Sequence, residues 1–437
     1  MADDRERDQI ALILDTFRER YGEEVVVPYP PQWQETTVRH LYRRDTILTR
    51  ASDAPLVERA LAERQIENTR DDVDPPGDRD PAQQVLGLRV QTPPRYSEGE
   101  GLIDLVRELN ADVGRRVVRP EHVLYVCGYP CPATEPEVPV GATLPTHRFP
   151  RPPRPCGCRG GGSHGCGAHG GPAADGWGRS VLIVDTGVDR PTTQAHSWTL
   201  DVHGDPDPAI ANGRIGAYGG HGTFAAGCAR VTAPRAEVTV SSALVPVAGA
   251  GFEREIAANV EAWLTKVAPD VLVFTFATAT FEDAGLLAFD ALYEHRLRHD
   301  RELAVLAPAG NDSWSTPMYP AAYPWVTAVG ALDADCDLRA DYSNHGPWVD
   351  LYAPGTDLVN TFATGDFTCS ESPDAGQVRS FTGLARWSGT SFATPLVAGM
   401  VAGRASAESI SAARALRHLR VEARLGAVPG VGPVLVP

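Results

Sequence analysis

Hydrophobic residues recur at helical and strand spacings through the first 128 residues. The apolar positions between residues 8 and 22 share one face of a predicted helix: Ile10, Leu12, Ile13, Phe17 and Tyr21. The pattern then predicts strand, helix, strand, helix and strand over residues 47–49, 54–64, 85–90, 102–111 and 123–126. A charged, proline-rich stretch at residues 69–81 predicts a surface loop. This order of elements predicts a small α+β domain over residues 1–128.

The composition changes after residue 128. Residues 130–155 are rich in proline and residues 157–176 are rich in glycine, which predicts a linker over residues 129–176. The glycine-rich part carries Cys156, Cys158 and Cys166, and cysteine is a common zinc ligand. Their spacing matches no standard zinc site, so a linker with reactive thiols is the favoured interpretation and a structural zinc ion the alternative.

From residue 177 to residue 437 short apolar runs alternate with helical stripes. The apolar runs are residues 181–184, 237–244, 271–276, 304–307, 326–329 and 349–352, and the predicted helices are 223–231, 252–267 and 391–404. Continuous apolar runs are typical of parallel strands that are buried on both faces. The pattern therefore predicts an α/β domain with helices on both faces of a mostly parallel sheet.

Three short segments in this domain each place a reactive side chain beside glycine. Asp185 lies in Asp-Thr-Gly, His221 in Gly-His-Gly-Thr and Ser391 in Gly-Thr-Ser-Phe-Ala-Thr-Pro. A hydroxyl, an imidazole and a carboxylate are the parts of a nucleophilic hydrolase. Aspartic peptidases also use Asp-Thr-Gly, but they need two such carboxylates and this chain has one. The three segments together favour the serine hydrolase.

The order Asp…His…Ser, with these flanking residues, resembles the subtilisin-like (subtilase) serine endopeptidases. The resemblance implies a three-layer subtilisin-like domain that needs no cofactor for catalysis. Ser391 would be the nucleophile, His221 the general base and then acid, and Asp185 the orienting carboxylate. A strand that ends in Gly310-Asn311 resembles the family segment whose asparagine donates to the oxyanion, so Asn311 takes that role in the prediction.

The resemblance also predicts where a peptide binds. Thr275, Phe276 and Ala277 stand where subtilases pair with the substrate backbone, and Ala309 and Gly310 flank the oxyanion residue. Subtilases usually carry Ser, Leu and Gly at the first three of these positions. We therefore expect Phe276 and Ala277 to narrow or reshape the subsites, and no preferred residue is assigned.

A small α+β domain before a subtilase domain resembles the inhibitory propeptide of that family. This implies an intramolecular inhibitor over residues 1–128 and a natural cleavage region in the linker at residues 129–176. An unrelated accessory domain is the alternative reading of the same pattern. For the chain as a whole, the alternative function is a non-catalytic or latent regulatory module that keeps the fold and binds rather than cleaves.

Charge and hydropathy exclude other classes of partner. The 40 basic and 56 acidic side chains give a formal charge of −16, which argues against a nucleic-acid-binding protein. No apolar run approaches the ~20 residues of a membrane span, and the charged start does not resemble a secretory signal. The expected partner is a peptide or protein substrate, and the expected location is the cytoplasm. Calcium is common in subtilases, but no aspartate-rich loop predicts a site here.

Overall fold

A computed structural model of the chain describes residues 4–71, 84–91, 101–126, 135–141 and 174–437. We call residues 4–126 the N-terminal region and residues 174–437 the C-terminal region. The helices of the N-terminal region are α1 (Asp4–Tyr21), α2 (Ala54–Glu63) and α3 (Leu102–Val113). Its strands are β1 (Val26–Tyr29), β2 (His40–Arg50), β3 (Asn68–Arg70), β4 (Val85–Val90) and β5 (Val118–Val126).

The predicted elements of the N-terminal region are confirmed, with one correction. Residues 69–81 were predicted as a surface loop, but Thr69 and Arg70 belong to β3, which pairs antiparallel with β4. β3 lies at the edge of its sheet and its three polar residues are half-buried or exposed, so composition alone does not reveal it as a strand. Residues 72–81 lie outside the described part of the chain.

The C-terminal region contains six of the α-helices that the described residues form. They are α4 (Arg190–Ala195), α5 (His221–Thr232), α6 (Glu253–Lys266), α7 (Leu287–His295), α8 (Thr390–Glu408) and α9 (Ala412–Leu425). The strands before α6 are β6 (Ser180–Asp185), β7 (Val202–Gly204), β8 (Ile210–Ala211), β9 (Arg214–Ile215), β10 (Glu237–Ser242) and β11 (Ala250–Phe252). The later strands are β12 (Val271–Phe274), β13 (Phe276–Ala277), β14 (Ala304–Pro308), β15 (Thr327–Leu332), β16 (Leu351–Pro354), β17 (Leu358–Thr368) and β18 (Val378–Trp387).

A seven-stranded parallel sheet forms the centre of the C-terminal region, in the order β16-β15-β14-β12-β6-β10-β7. Alternate residues of β6 face opposite layers because side chains alternate along a strand. Val181 and Ile183 join the core cluster beneath α5, α8 and α9, whereas Leu182 and Val184 join the cluster beneath α6 and α7. The predicted three-layer α/β fold is confirmed.

A second sheet joins the two regions. Its main order is β11-β5-β2-β4-β3, β1 pairs with β2, and β13 pairs with β5. Residues 271–276 were predicted as one strand, but the chain leaves the central sheet at Thr275, whose Oγ1 donates to the Val184 carbonyl at 2.9 Å. The two residues that follow Thr275 then pair with β5 of the N-terminal region.

Part of the predicted linker also packs against the C-terminal region. Glu137 exchanges two backbone hydrogen bonds with Arg386 of β18, at 2.9 and 2.8 Å. Glu135 is buried, and its Oε1 accepts hydrogen bonds from the backbone N–H groups of Ser370 and Glu371. The interpretation of residues 129–176 as a linker stays a prediction. Composition alone could not show that Glu137, within the described residues 135–141, pairs with the edge of β18. The remainder of the linker up to residue 173 lies outside the described residues.

Candidate active site

Asp185 is the last residue of β6, at the carboxyl edge of the parallel sheet where α/β proteins place their sites. Its side chain is completely buried. The backbone N–H of Thr186 donates to Asp185 Oδ1 at 2.6 Å, and this bond orients the carboxylate. A buried carboxylate in this position favours a positively charged or hydrogen-bonded partner.

His221 is the first residue of α5 and supplies that partner. Its Nδ1 lies 2.9 Å from both carboxylate oxygens of Asp185, and its Nε2 lies 3.1 Å from Ser391 Oγ. A proton on Nδ1 donates to Asp185, which leaves Nε2 to accept the hydroxyl proton of Ser391. The Gly-His-Gly spacing is required by packing, since a Cβ at Gly222 would lie 2.3 Å from the Gly187 carbonyl oxygen.

Ser391 lies in the first turn of α8, where backbone N–H groups lack intrahelical partners and the helix dipole favours negative charge. It is almost completely buried, at 2% exposure. The preceding Gly389 leaves an open space beside the hydroxyl. A Cβ built there would lie 3.1 Å from Ser391 Oγ and 3.5 Å from Asn311 Nδ2, so any side chain would fill the gap between those two groups.

Asn311 follows β14 and is held in one orientation by α8. Its Oδ1 accepts hydrogen bonds from the backbone N–H of Thr390 at 2.9 Å and from Thr390 Oγ1 at 2.8 Å. Because the oxygen is engaged in this way, the amide nitrogen lies toward the space beside Gly389. Ala309 and Gly310 are buried just before it, and the Gly310 N–H donates to Thr390 Oγ1 at 3.2 Å. The structure thus brings together the four residues that the sequence predicted for catalysis.

The predicted peptide-binding edge lies against the protein's own N-terminal region. Phe276 pairs with Val126, and Ala277 pairs with Tyr125, in an antiparallel ladder. Both side chains of the edge are completely buried, and the Phe276 ring centroid lies 5.6 Å from that of Phe274. The expected effect of these two residues on subsite shape stays a prediction.

Comparisons with known proteins match the C-terminal region. The family model described as "Subtilase family" matches residues 176–428, which is more than half of the chain. The chain belongs to the subtilase family. It is 30% identical over 233 residues to a thermophilic serine proteinase from Bacillus sp. (strain AK1), which covers 52% of this chain and 51% of that protein. It is 28% identical over 256 residues to halolysin from Haloferax mediterranei, covering 55% of this chain and 44% of that protein.

The chain spans about half the length of these two curated relatives. Thermitase from Thermoactinomyces vulgaris is 29% identical over 257 residues, which cover 55% of this chain and 78% of that protein. Among solved structures, fervidolysin from Fervidobacterium pennivorans is similar in fold with a TM-score of 0.54 and 18% identity. That similarity covers 90% of this subtilase and 60% of fervidolysin, so the similar fold extends beyond the part that the family model matches.

Aromatic side chains pack against the imidazole, a feature that was not predicted from the sequence. Trp387 packs edge-on against His221 with ring centroids 5.3 Å apart, and the ring centroid of Phe392 lies 4.8 Å from that of the imidazole. Phe224 contacts both Trp387 and Phe392 and is completely buried. The three rings belong to α5, β18 and α8, so only the fold brings them to the imidazole.

Asn344 is a further site residue that sequence reasoning left without a role. Its Oδ1 accepts from the backbone N–H groups of Asp312 and Trp314, and its Nδ2 donates to the Ala309 carbonyl and to Asp312 Oδ2. Burial raises the pKa of Asp312 to about 7. These bonds hold the turn that presents Asn311, whose neighbour Gly310 has a φ of +102° and leaves no room for a side chain.

The described residues were searched for side chains that could bind a metal ion. Across the described residues, no group of three or more His, Cys, Asp or Glu side chains could hold a metal ion. The cysteine cluster at Cys156, Cys158 and Cys166 lies outside the described residues, so the zinc alternative stays a prediction. Nor does any helix of the described residues have both the length and the apolar character to cross a membrane.

Proposed function

We propose that this subtilase is a serine endopeptidase that its own N-terminal region keeps latent. The observation that carries the catalytic part is the continuous chain of contacts from Asp185 through His221 to Ser391, with distances of 2.9 and 3.1 Å. The observation that carries the latent part is the pairing of β5 with the edge that would receive a substrate. The family and the names of its relatives support the reaction class.

The proposed reaction proceeds through an acyl-enzyme. Ser391 Oγ attacks the peptide carbonyl carbon while its proton passes to His221 Nε2. Asp185 stabilises the imidazolium that forms. His221 then gives the proton to the leaving amine, the carbon–nitrogen bond breaks, and the acyl group remains on Ser391 as an ester. A water molecule attacks this ester with His221 as base, which releases the acid and restores the hydroxyl.

The negative charge of each tetrahedral intermediate would be stabilised by donors that are already in place. Asn311 Nδ2 and the backbone N–H of Ser391 are proposed to donate to the oxyanion. Preorganised donors in a buried site stabilise developing charge without the cost of reorientation. Burial of Ser391, His221 and Asp185 strengthens these electrostatic interactions because water is largely excluded.

Latency is proposed because β5 lies between β11 and β13 as an added strand. Tyr125 pairs with Ala250 on one side and with Ala277 on the other. Edge strands that receive an extended peptide use the same backbone donors and acceptors. While β5 is paired on both sides, a substrate strand has no edge to join.

Helix α1 adds a second anchor to the end of β5. The Gln9 side chain donates to the Val126 carbonyl at 3.2 Å and to Tyr218 Oη at 2.7 Å, so one amide links the N-terminal region to the loop before His221. Nearby, Asp8 accepts a hydrogen bond from the backbone N–H of Ser372, in the β17–β18 loop. These contacts favour an inhibitory domain over an unrelated accessory domain.

The proposal is tested by casein hydrolysis with two forms of the protein, each as wild type and as Ser391→Ala. One form is the intact chain, and the other is the chain cut by limited proteolysis within residues 127–173 with the N-terminal fragment removed. Low activity of the intact chain and a large rise after removal are expected. Ser391→Ala should lower the rate of the released form by roughly 10⁶-fold, whereas Ser406→Ala, on the same helix, should not.

Each part of the proposal has its own contradicting result. A released form that hydrolyses casein no faster than its Ser391→Ala variant would leave the non-catalytic binding module as the better reading. Full activity of the intact, uncut chain would contradict latency but not catalysis. Adding the removed fragment back should inhibit the released enzyme if it is an inhibitory domain.

A further inference from the structure

A second carboxylate lies behind the catalytic residues. Asp207 lies between β7 and β8 and is buried, at 5% exposure. Its Oδ1 accepts a hydrogen bond from the backbone N–H of Ala209 at 2.9 Å. Its Oδ2 accepts two more, from Thr186 Oγ1 at 3.2 Å and from the backbone N–H of Gly220 at 2.8 Å.

The two partners of Oδ2 are chain neighbours of the catalytic residues. Thr186 directly follows Asp185, and Gly220 directly precedes His221. The Thr186 hydroxyl also accepts a hydrogen bond from the backbone N–H of Gly222 at 3.2 Å. Asp207 is therefore hydrogen-bonded to the backbone on both sides of His221. The bond to Gly220 is direct, and the link to Gly222 passes through the Thr186 hydroxyl.

The loop that carries Asp207 is itself fixed to the turn after Asp185. The Val188 N–H donates to the Asp205 carbonyl at 2.9 Å, and the Asp207 N–H donates to the Val188 carbonyl at 3.1 Å. Gly187, with a φ of +104°, allows this approach, because a Cβ there would lie 2.7 Å from the Pro206 carbonyl oxygen. The carboxylate is thus presented from a rigid support.

We infer that Asp207 is a positioning residue for the proposed peptidase reaction, which holds the Asp185 turn and the start of α5 at the separation that the Asp185–His221 contact needs. It does not touch the substrate. This inference rests on the proposed function. A shift of about 1 Å between two catalytic groups costs a large part of a reaction rate, so a bond that fixes their separation is of direct consequence.

The electrostatics of Asp207 agree with this role. Burial raises its pKa to about 6 and the Asp185 charge adds to that effect, while the hydrogen bonds from Gly220, Ala209 and Thr186 oppose it. Below that pH the carboxyl carries a proton and gains a donor of its own. The arrangement with three accepted bonds therefore belongs to the ionised form, which is present at neutral pH.

The test compares Asp207→Asn and Asp207→Ala with Asp205→Asn. Asp205 is the matched control because it lies on the same loop and contacts the Asp185 turn through its backbone carbonyl, which Asp205→Asn keeps. Its Oδ2 accepts a hydrogen bond from the backbone N–H of Ser242 at 3.1 Å. The first measurement is the downfield proton resonance of His221 Nδ1–H, assigned by its loss in His221→Ala. The second is kcat and KM of the enzyme after removal of the N-terminal fragment.

Asp207→Ala is expected to shift or broaden the His221 resonance and to lower kcat by roughly 10- to 100-fold with KM within about twofold of wild type. Asp207→Asn keeps the shape and one acceptor, so it should lie between Asp207→Ala and wild type. Asp205→Asn should match wild type in both measurements. In the double variant Thr186→Val/Asp207→Asn, kcat should fall by less than the product of the falls in the two single variants. The reason is that the two side chains share one hydrogen bond.

The inference is overturned if Asp207→Asn and Asp207→Ala leave the resonance and kcat at the values of Asp205→Asn, or if they change KM alone. Should Asp207→Ala fail to fold, Asp207→Asn decides the matter. The resonance reports the Asp185–His221 contact whether or not the protein cleaves peptides. A wild type that shows the signal and cleaves nothing would therefore contradict the proposed function, while the effect of Asp207 on the signal still tests the positioning role.

Discussion

Arg254 and Glu121 form two hydrogen bonds, of 2.8 and 3.1 Å, across the boundary between the two regions of this subtilase. Both side chains are buried, with exposures of 2% and 0%. Arg254 also donates to Asp71 at 2.9 Å, and its guanidinium packs over Gly87, which has no side chain to obstruct it. A charged network of this kind holds only while both of its sides are present.

Removal of Arg254 should therefore weaken the attachment of the N-terminal region. Arg254→Ala leaves the buried carboxylate of Glu121 without its bidentate partner, and a loss of about 3–5 kcal/mol is expected. Urea unfolding of the Ser391→Ala chain measures this loss in the absence of self-cleavage. Arg44→Ala, which breaks an exposed pair with Glu24, is the control and should cost less than about 1 kcal/mol. Equal effects of the two variants would contradict this role of the network.

A buried histidine–glutamate pair, His122 and Glu253, lies in the same interface. His122 Nδ1 lies 3.1 Å from Glu253 Oε2, and the Phe281 N–H donates to His122 Nε2 at 3.0 Å, so the ring is neutral. Burial lowers the pKa of His122 to about 3 and raises the pKa of Glu253 to about 8. In the released state the ordinary values are 6.5 and 4.5. The attached state thus binds one more proton than the released state between pH 6.5 and 8.

This difference predicts that attachment weakens as the pH rises from 6.5 to 8, by up to about 2 kcal/mol. Between pH 4.5 and 6.5 the pair holds the same number of protons in both states, and below pH 4.5 attachment weakens again. The ratio of Ser391 labelling rates in the intact and released proteins, measured at each pH, isolates this effect from the titration of the catalytic groups. The slope of that ratio should fall in Glu253→Gln and stay unchanged in Glu261→Gln, which is partly exposed on the same helix.

Asn311 is expected to affect the chemical step rather than binding. Asn311→Ala in the released enzyme should lower kcat by roughly 10²–10³-fold with little change in KM, because it removes a proposed oxyanion donor. Steady-state kinetics on one peptide substrate measure both constants. An increase in KM at unchanged kcat would show that Asn311 contributes to substrate binding and not to the transition state.

Gly222 tests whether the packing beside His221 sets the geometry of the site. A methyl group there would meet the Gly187 carbonyl oxygen at 2.3 Å and lie 3.2 Å from Asp185 Oδ1. Gly222→Ala should therefore separate Asp185 from His221 and abolish Ser391 labelling by a fluorophosphonate. Gly426→Ala, at a helix end where the nearest atom is 3.5 Å away, should label like wild type. Normal labelling of Gly222→Ala would argue against the packing explanation.

The residues proposed for catalysis could be predicted because each lies in a short segment whose glycines the packing demands. At Gly222 and Gly389 other atoms lie within about 3 Å of the position that a Cβ would take, so glycine is needed there. The close packing of the site is therefore visible in the local sequence. The helices and the buried parallel strands were predictable for a similar reason, since hydrophobic periodicity reports burial directly.

Other features depend on contacts between distant parts of the chain. The sequence predicted β5 as a strand, but nothing local to Val126 indicates that it pairs with Phe276, 150 positions later. The β17–β18 hairpin was not predicted because β17 begins with six buried residues in a row and its register with β18 shifts between Thr361 and Thr364. No role was predicted for Asp207, because an aspartate beside prolines is typical of an ordinary turn.

Covalent labelling by a fluorophosphonate, located by peptide mass spectrometry, tests whether Asp185, His221 and Ser391 act together. We expect one equivalent of label on Ser391 in the released protein, slower labelling of the intact chain, and loss of the label in both His221→Ala and Ser391→Ala. Label on another residue, or label on Ser391 at the same rate in wild type and His221→Ala, would contradict this expectation.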